Sequence, residues 1–221
     1  RSPEKVEACL KEALKNTGYD EASLLSLSTG DYTMIEGLLA LLMKDFHREQ
    51  IAVSLPSLRV GTLSSTLAEE IKKVRKTGFT LAPEAGSERL RVLVNKGIKE
   101  EDLITSAKEI FSLGWRSLKL YFIAGLPTET DEDLLSIAAL AEKVRKAGKE
   151  ASGGRPPQIN VSVSLFIPKP FTPFQWEEKL PMEESERRIM LLRKRLTSSG
   201  IGFKWHDPKM SAVEAAFSRG D

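Results

Sequence analysis

Residues 117–135 read SLKLYFIAGLPTETDEDLL. The run Leu118 to Ile123 is apolar apart from Lys119 and has the length and composition of a buried strand. The chain then turns at Gly125-Leu126-Pro127 and restarts as a helix behind Thr128 or Thr130. Asp131, Glu132 and Asp133 fill the first helical turn, where negative charge suits the positive end of the helix dipole. A strand that ends in a glycine turn and enters a helix is where α/β proteins place ligand sites. Gly125 has no side chain, so a ligand can approach its backbone. Taken alone, the stretch reads as an ordinary structural turn, because glycine punctuates loops everywhere.

The same unit repeats outward in both directions. Ser2-Pro3 opens a helix carrying Val6, Cys9, Leu10, Ala13 and Leu14 on one face, and Gly18 ends it. Strands are predicted at Ala22–Leu27, Ile51–Leu55, Phe79–Ala82, Ile159–Phe166 and Ile201–Trp205. Helices are predicted at Tyr32–Phe46, from Thr66 to Lys76, after Ser87, at Glu100–Leu113, from Asp131 to about Ala147, and at Glu183–Leu196. Lys149 to Gln158 is polar, rich in Gly and Pro, and reads as a loop. Strands alternating with helices predict an α/β fold with a parallel sheet, closer to a partial TIM-like (β/α) barrel than to an open Rossmann sheet. No Gly-x-Gly-x-x-Gly follows a strand and no P-loop is present.

Bulk composition narrows the classes. With 221 residues, 41% hydrophobic and 29% charged, the chain has the makings of one globular domain over residues 1–221. Its net charge is +2, so no bulk field attracts nucleic acid or an anionic membrane. The single cysteine, Cys9, excludes an intrachain disulfide framework and any metal site built from several thiolates of this chain. It reads as a packed core cysteine, and a reducing, cytoplasmic setting fits. No apolar run reaches the ~20 residues that span a bilayer, so no membrane partner is expected. The sequence begins at Arg1 rather than Met, as a processed or excised piece would.

If the strands close toward a barrel, the loops after them share one rim. That rim collects Ser28, Thr29, Gly30, Asp31, Glu84, Gly125 and Lys169 and offers no histidine, cysteine or Ser–His pair. Acid–base or nucleophilic chemistry is poorly supplied there, which points to a cofactor that does the hard step. His47 reads as a helix C-terminal residue and His206 as structural. The basic runs 72–76 and 187–195 read as solvated helix faces. Phe171, Phe174 and Trp176 fit a substrate wall and a cover for the barrel edge equally well.

These segments together resemble the radical S-adenosylmethionine (radical SAM) enzymes, from Arg1 to about Ser218. Within that resemblance, Ser28, Thr29, Gly30 and Asp31 match the motif whose backbone and acid hold the amino group of S-adenosylmethionine. Glu84, in Leu81-Ala82-Pro83-Glu84-Ala85-Gly86-Ser87, matches the polar residue that contacts the ribose or the methionine carboxylate. Lys96 with Gly97 resembles the basic–glycine pair beyond it, and Ile123, Ala124 and Gly125 the backbone that packs on adenine, with Phe166 and Ile167 completing that slot. Lys169, Gln175 and Trp176 are then expected on the substrate side. The PEAGSERLR, GLPTET and PKPFTPFQW stretches are similar to those of an uncharacterised subfamily that carries an upstream cobalamin-type domain, so cobalamin is a further expected cofactor.

The family's C-x3-C-x2-C loop and the strand before it are absent from these residues. The resemblance therefore implies a core whose 4Fe–4S ligands lie in an upstream segment, with an electron donor such as flavodoxin or ferredoxin. In the intact enzyme the cluster would cleave S-adenosylmethionine reductively, and a 5′-deoxyadenosyl radical would abstract hydrogen from an unknown substrate. Two alternatives stand beside it. One is a sugar-phosphate isomerase or aldolase barrel with a phosphate loop at Gly200 and Gly202. The other is a non-catalytic scaffold that kept the fold and lost the cluster.

Overall fold

The computed structural model describes residues 1–25, 32–54 and 79–220. In chain order its elements are α1 (Pro3–Thr17), β1 (Glu21–Ser23), α2 (Ile35–Glu49), β2 (Ala52–Ser54), β3 (Phe79–Glu84), α3 (Glu88–Leu93), α4 (Glu100–Ser112), β4 (Ser117–Ala124), α5 (Asp131–Ala151), β5 (Gln158–Leu165), α6 (Met182–Ser198), β6 (Gly202–Trp205) and α7 (Pro208–Arg219). The expected strand extension to Leu27, the strand end at Leu55 and the helix from Thr66 to Lys76 lie outside the described residues.

Every described strand pairing is parallel: β1 with β2, and β3-β4-β5-β6 in sequence order. Parallel neighbours need crossover connections, and the helices supply them. The order and direction match the α/β partial barrel that the sequence predicts. One face of the larger sheet, including Leu120, Phe122, Val161 and Val163, packs on Ile110 and Phe111 of α4 and on Ile137 and Ala141 of α5. The same apolar cluster takes in β2 and α2 through Val53, Leu39 and Leu42, so both sheets share one core.

Several local predictions meet competing forces. α5 runs to Ala151, straight through Gly148, where the sequence suggests a stop. That glycine is an interior packing residue: a Cβ there would overlap the Phe111 ring, so α4 and α5 approach closely at this point. Cys9 is exposed rather than packed. Only Val6, Leu10 and Leu14 of α1 pack against the core, a stripe too narrow to include it. α7 escapes a periodicity reading because its apolar residues Met210, Val213 and Phe217 face solvent. It is started by Asp207, whose carboxylate accepts from the Lys209 amide at 2.8 Å, with Pro208 at the first turn.

Among the described residues, no helix is long and apolar enough to cross a membrane.

Candidate functional site: the strand tips of the larger sheet

Parallel strands deliver their C-terminal ends to one edge, so Glu84, Gly125 and Phe166 follow β3, β4 and β5 onto a common rim. Ser28, Thr29, Gly30 and Asp31 lie outside the described residues. Phe166 donates its amide to the Ala124 carbonyl at 2.8 Å, which joins the tips of β4 and β5.

Glu84 has a left-handed backbone, φ 68°. The pairing of β3 with β4 slips between Leu81 and Glu84, a bulge that re-aims the strand end. A left-handed glutamate costs about 1–2 kcal/mol, so the surroundings must hold it. Its carboxylate accepts from Lys96 Nζ at 2.8 Å, and both side chains are about a quarter exposed. Two of the expected site residues thus meet directly.

Gly125 also has a left-handed backbone, φ 87°. The position that lacks a side chain is not open space. A Cβ at Gly125 would lie 2.7 Å from Leu180 Cδ1, so that leucine fills the space. The Gly125 amide is also taken, donating to Glu129 Oε2 at 2.7 Å. Glu129 is buried and accepts from Arg188 Nη1 of α6 at 2.6 Å. Beside it lies a largely buried apolar cluster. Ala85, Leu90, Leu126 and Phe166 form a small cluster, with Ile123 and Phe174 packed against it.

The two motif loops are welded together. Ser87 caps α3 and also donates to Asp133 Oδ1 at 2.6 Å. Arg89 donates to the Thr128 carbonyl at 2.8 Å and to Asp133. Thr130 and Asp133 form the capping box of α5. Burial alone would raise the Asp133 pKa, but the hydrogen bonds from Arg89, Ser87 and Thr130 outweigh it and hold the carboxyl well below the usual carboxylate range. A depressed folded-state pKa stabilises above the unfolded pKa of ~3.9 and loses that contribution as pH falls through the folded value. Asp133→Asn should therefore be destabilised near neutrality, with a gap to the wild type that narrows by about 1 kcal/mol between pH 6 and pH 3; Arg89 is half exposed, which keeps the figure small. Urea midpoints across that range measure it, and a gap independent of pH would show that the carboxylate charge is not what the loops use.

The residues expected on the substrate side each have other contacts or face solvent. Lys169 Nζ lies 3.0 Å from Glu214 of α7. Gln175 accepts the Phe171 amide at 3.2 Å, which closes its own loop. Trp176 is 82% exposed and Phe171 98% exposed. Only Phe174 covers the rim, edge-on to Phe166 with centroids 6.1 Å apart. Ile167 is half buried beside Phe166. The two glycines expected in an isomerase's phosphate loop already have close neighbours. A Cβ at Gly202 would overlap Asn160 Oδ1, and the Gly200 amide donates to Thr197 O at 3.1 Å.

A family model, the Radical SAM superfamily, matches residues 1–141. The chain belongs to the radical SAM superfamily. It is 34% identical over 211 residues to an uncharacterized protein of Methanocaldococcus jannaschii, covering 96% of this chain and 44% of that protein. The chain therefore spans less than half the length of this curated relative. The crystal structure of Streptococcus suis SuiB is similar in fold, with a TM-score of 0.62 and 14% identity over 93% of this chain and 43% of that one.

The family implies S-adenosylmethionine and a 4Fe–4S cluster, and the residues fit the two differently. The rim pairs a carboxylate and an ammonium, Glu84 and Lys96, beside an apolar surface, which suits an amino acid joined to an adenosine. The cluster does not fit these residues. The only cysteine is exposed on α1, and no group of three or more His, Cys, Asp or Glu among the described residues could hold a metal.

Proposed function

We propose that this chain is the S-adenosylmethionine-binding core of a radical SAM iron–sulfur enzyme. The observation that carries the reading is Glu84: a strained carboxylate at a strand tip, ion-paired to Lys96 and adjoining the Phe166 cluster. Glu84 accepts from the ligand's ammonium or ribose hydroxyls, and Lys96 donates to its carboxylate. Ile123, Phe166 and Ile167 exclude water from the adenine face. S-adenosylmethionine supplies the adenosyl group for the chemistry; this chain binds and orients it. Cys9 is the sole cysteine, so the proposal for these residues ends at binding.

Calorimetric titration with S-adenosylhomocysteine tests it. Binding should saturate, and Glu84→Gln should weaken it about tenfold, the scale of one charge-assisted hydrogen bond. Lys169→Gln, which alters an exposed ion pair, should bind as the wild type does. A wild-type chain that is folded by circular dichroism yet binds no S-adenosylhomocysteine would refute the reading.

A further inference from the structure

Parallel sheets covered by helices normally read as apolar on both faces. The four-stranded sheet departs from this on one face only. Strand register puts Tyr121, Ser162 and Lys204 in one row across β4, β5 and β6. The next row toward the strand starts is Thr80, Lys119, Asn160 and Gly202, and the next toward the tips pairs Ile123 with Ser164. Side chains alternate along a strand, so these rows share the face opposite the Leu120–Val161 core.

The hydrogen-bond polarity of this face is one-sided. Lys119 Nζ donates to the Tyr121 hydroxyl oxygen at 2.6 Å and lies over its ring, 4.3 Å from the centroid. The phenol proton is then free to point away from the lysine. Ser162 is only 6% exposed, and its hydroxyl has no hydrogen-bond partner among the described residues. A buried polar group left unpaired is costly and calls for a partner. Asn160 is spent, donating to Ser117 Oγ at 3.3 Å. The described strands hold two acids, Glu21 at the start of β1 and Glu84, which is ion-paired to Lys96. Among the described residues neither Lys119 nor Lys204 has a carboxylate within ion-pair distance.

We infer that this face is an anion-binding surface for a small-molecule substrate, with Lys119 and Lys204 supplying charge and Tyr121 and Ser162 directional donors. The anionic group is a carboxylate or a phosphate ester. Tyr121 lies four residues before Gly125, about 13 Å below the strand tips at the usual rise per residue. A substrate anchored there reaches up toward the rim. The inference rests on the proposed function only in naming the anion's owner a substrate.

The purified chain is titrated with inorganic phosphate and, separately, with succinate. At least one should bind saturably in the millimolar range. Phosphate alone indicates a phosphate ester, and succinate alone a carboxylate. Lys119→Gln should weaken that binding about tenfold, Lys119→Arg should restore most of it, and Tyr121→Phe should weaken it severalfold. S-adenosylhomocysteine affinity, measured in parallel, should stay unchanged in all three variants, which also shows that they fold. The inference is overturned if neither anion binds, if Lys119→Gln binds as tightly as the wild type, or if S-adenosylhomocysteine weakens by the same factor. Anion binding that depends on Lys119 in a chain that binds no S-adenosylhomocysteine would uphold this inference and refute the proposed function.

Discussion

Arg91→Met should lower the stability of the protein by about 3–5 kcal/mol, the largest loss expected from any side chain near the rim. Arg91 is buried, yet its partners are all backbone carbonyls. Nε donates to Ile98 O at 3.0 Å, and Nη1 donates to Ala85 O at 3.1 Å and Gly86 O at 2.8 Å. Burial draws its pKa down, although guanidinium stays charged throughout the accessible range. Removing the donor set leaves three carbonyls with no solvent to replace it. Methionine keeps an unbranched apolar stem and comes close in volume, so the loss reflects hydrogen bonds more than volume. Urea unfolding measures the change. A midpoint within experimental scatter of the wild type would mean that the loop carbonyls find water or other donors.

Gly86→Ala should be nearly as severe, at about 3 kcal/mol, the upper end for overpacking. A Cβ at Gly86 would overlap Ile137 N and lie 2.6 Å from Ser136 C and 2.8 Å from Ile137 Cα, all backbone atoms of α5. A helix backbone cannot rotate aside as a side chain can. The loop must move instead, against the restraint of Arg91 and the Arg89–Asp133 contact. For a chain of this size the expected fall in Tm is roughly 6–12 °C. S-adenosylhomocysteine binding should weaken in the same variant, because Glu84 lies two residues upstream. A fall in Tm below about 2 °C would show that the loop yields easily.

These two residues show how far sequence reasoning reaches. PEAGSERLR is conspicuous as a string, and the Ser87 cap and the following short helix are readable from it. Its glycine and second arginine act through α5 and Ile98, contacts that local spacing cannot supply. The helix start behind Thr128 or Thr130 was equally legible, and the capping box with Asp133 selects Thr130. At Gly125 the sequence discloses a missing side chain but not its tenant, Leu180, 55 residues along the chain. Lys119 stood out as the one charge in an apolar strand, a signal whose meaning needed the register to place Tyr121, Ser162 and Lys204 beside it. The Lys169 ion pair depends on α7, a helix whose solvent-facing apolar residues give no core stripe to read.

The link from Gly125 through Glu129 to Arg188 makes the two flanks of the rim unequal. Glu129 has a side-chain exposure of 1% and Arg188 of 12%, and separating such a pair in place costs about 3–5 kcal/mol. Breathing motions on that flank are correspondingly rare, because α6 is latched to the end of β4. Across the rim, Glu84 and Lys96 are held by one partly hydrated contact that exchanges readily with water. The β3 flank is therefore the less tightly fastened side of the rim.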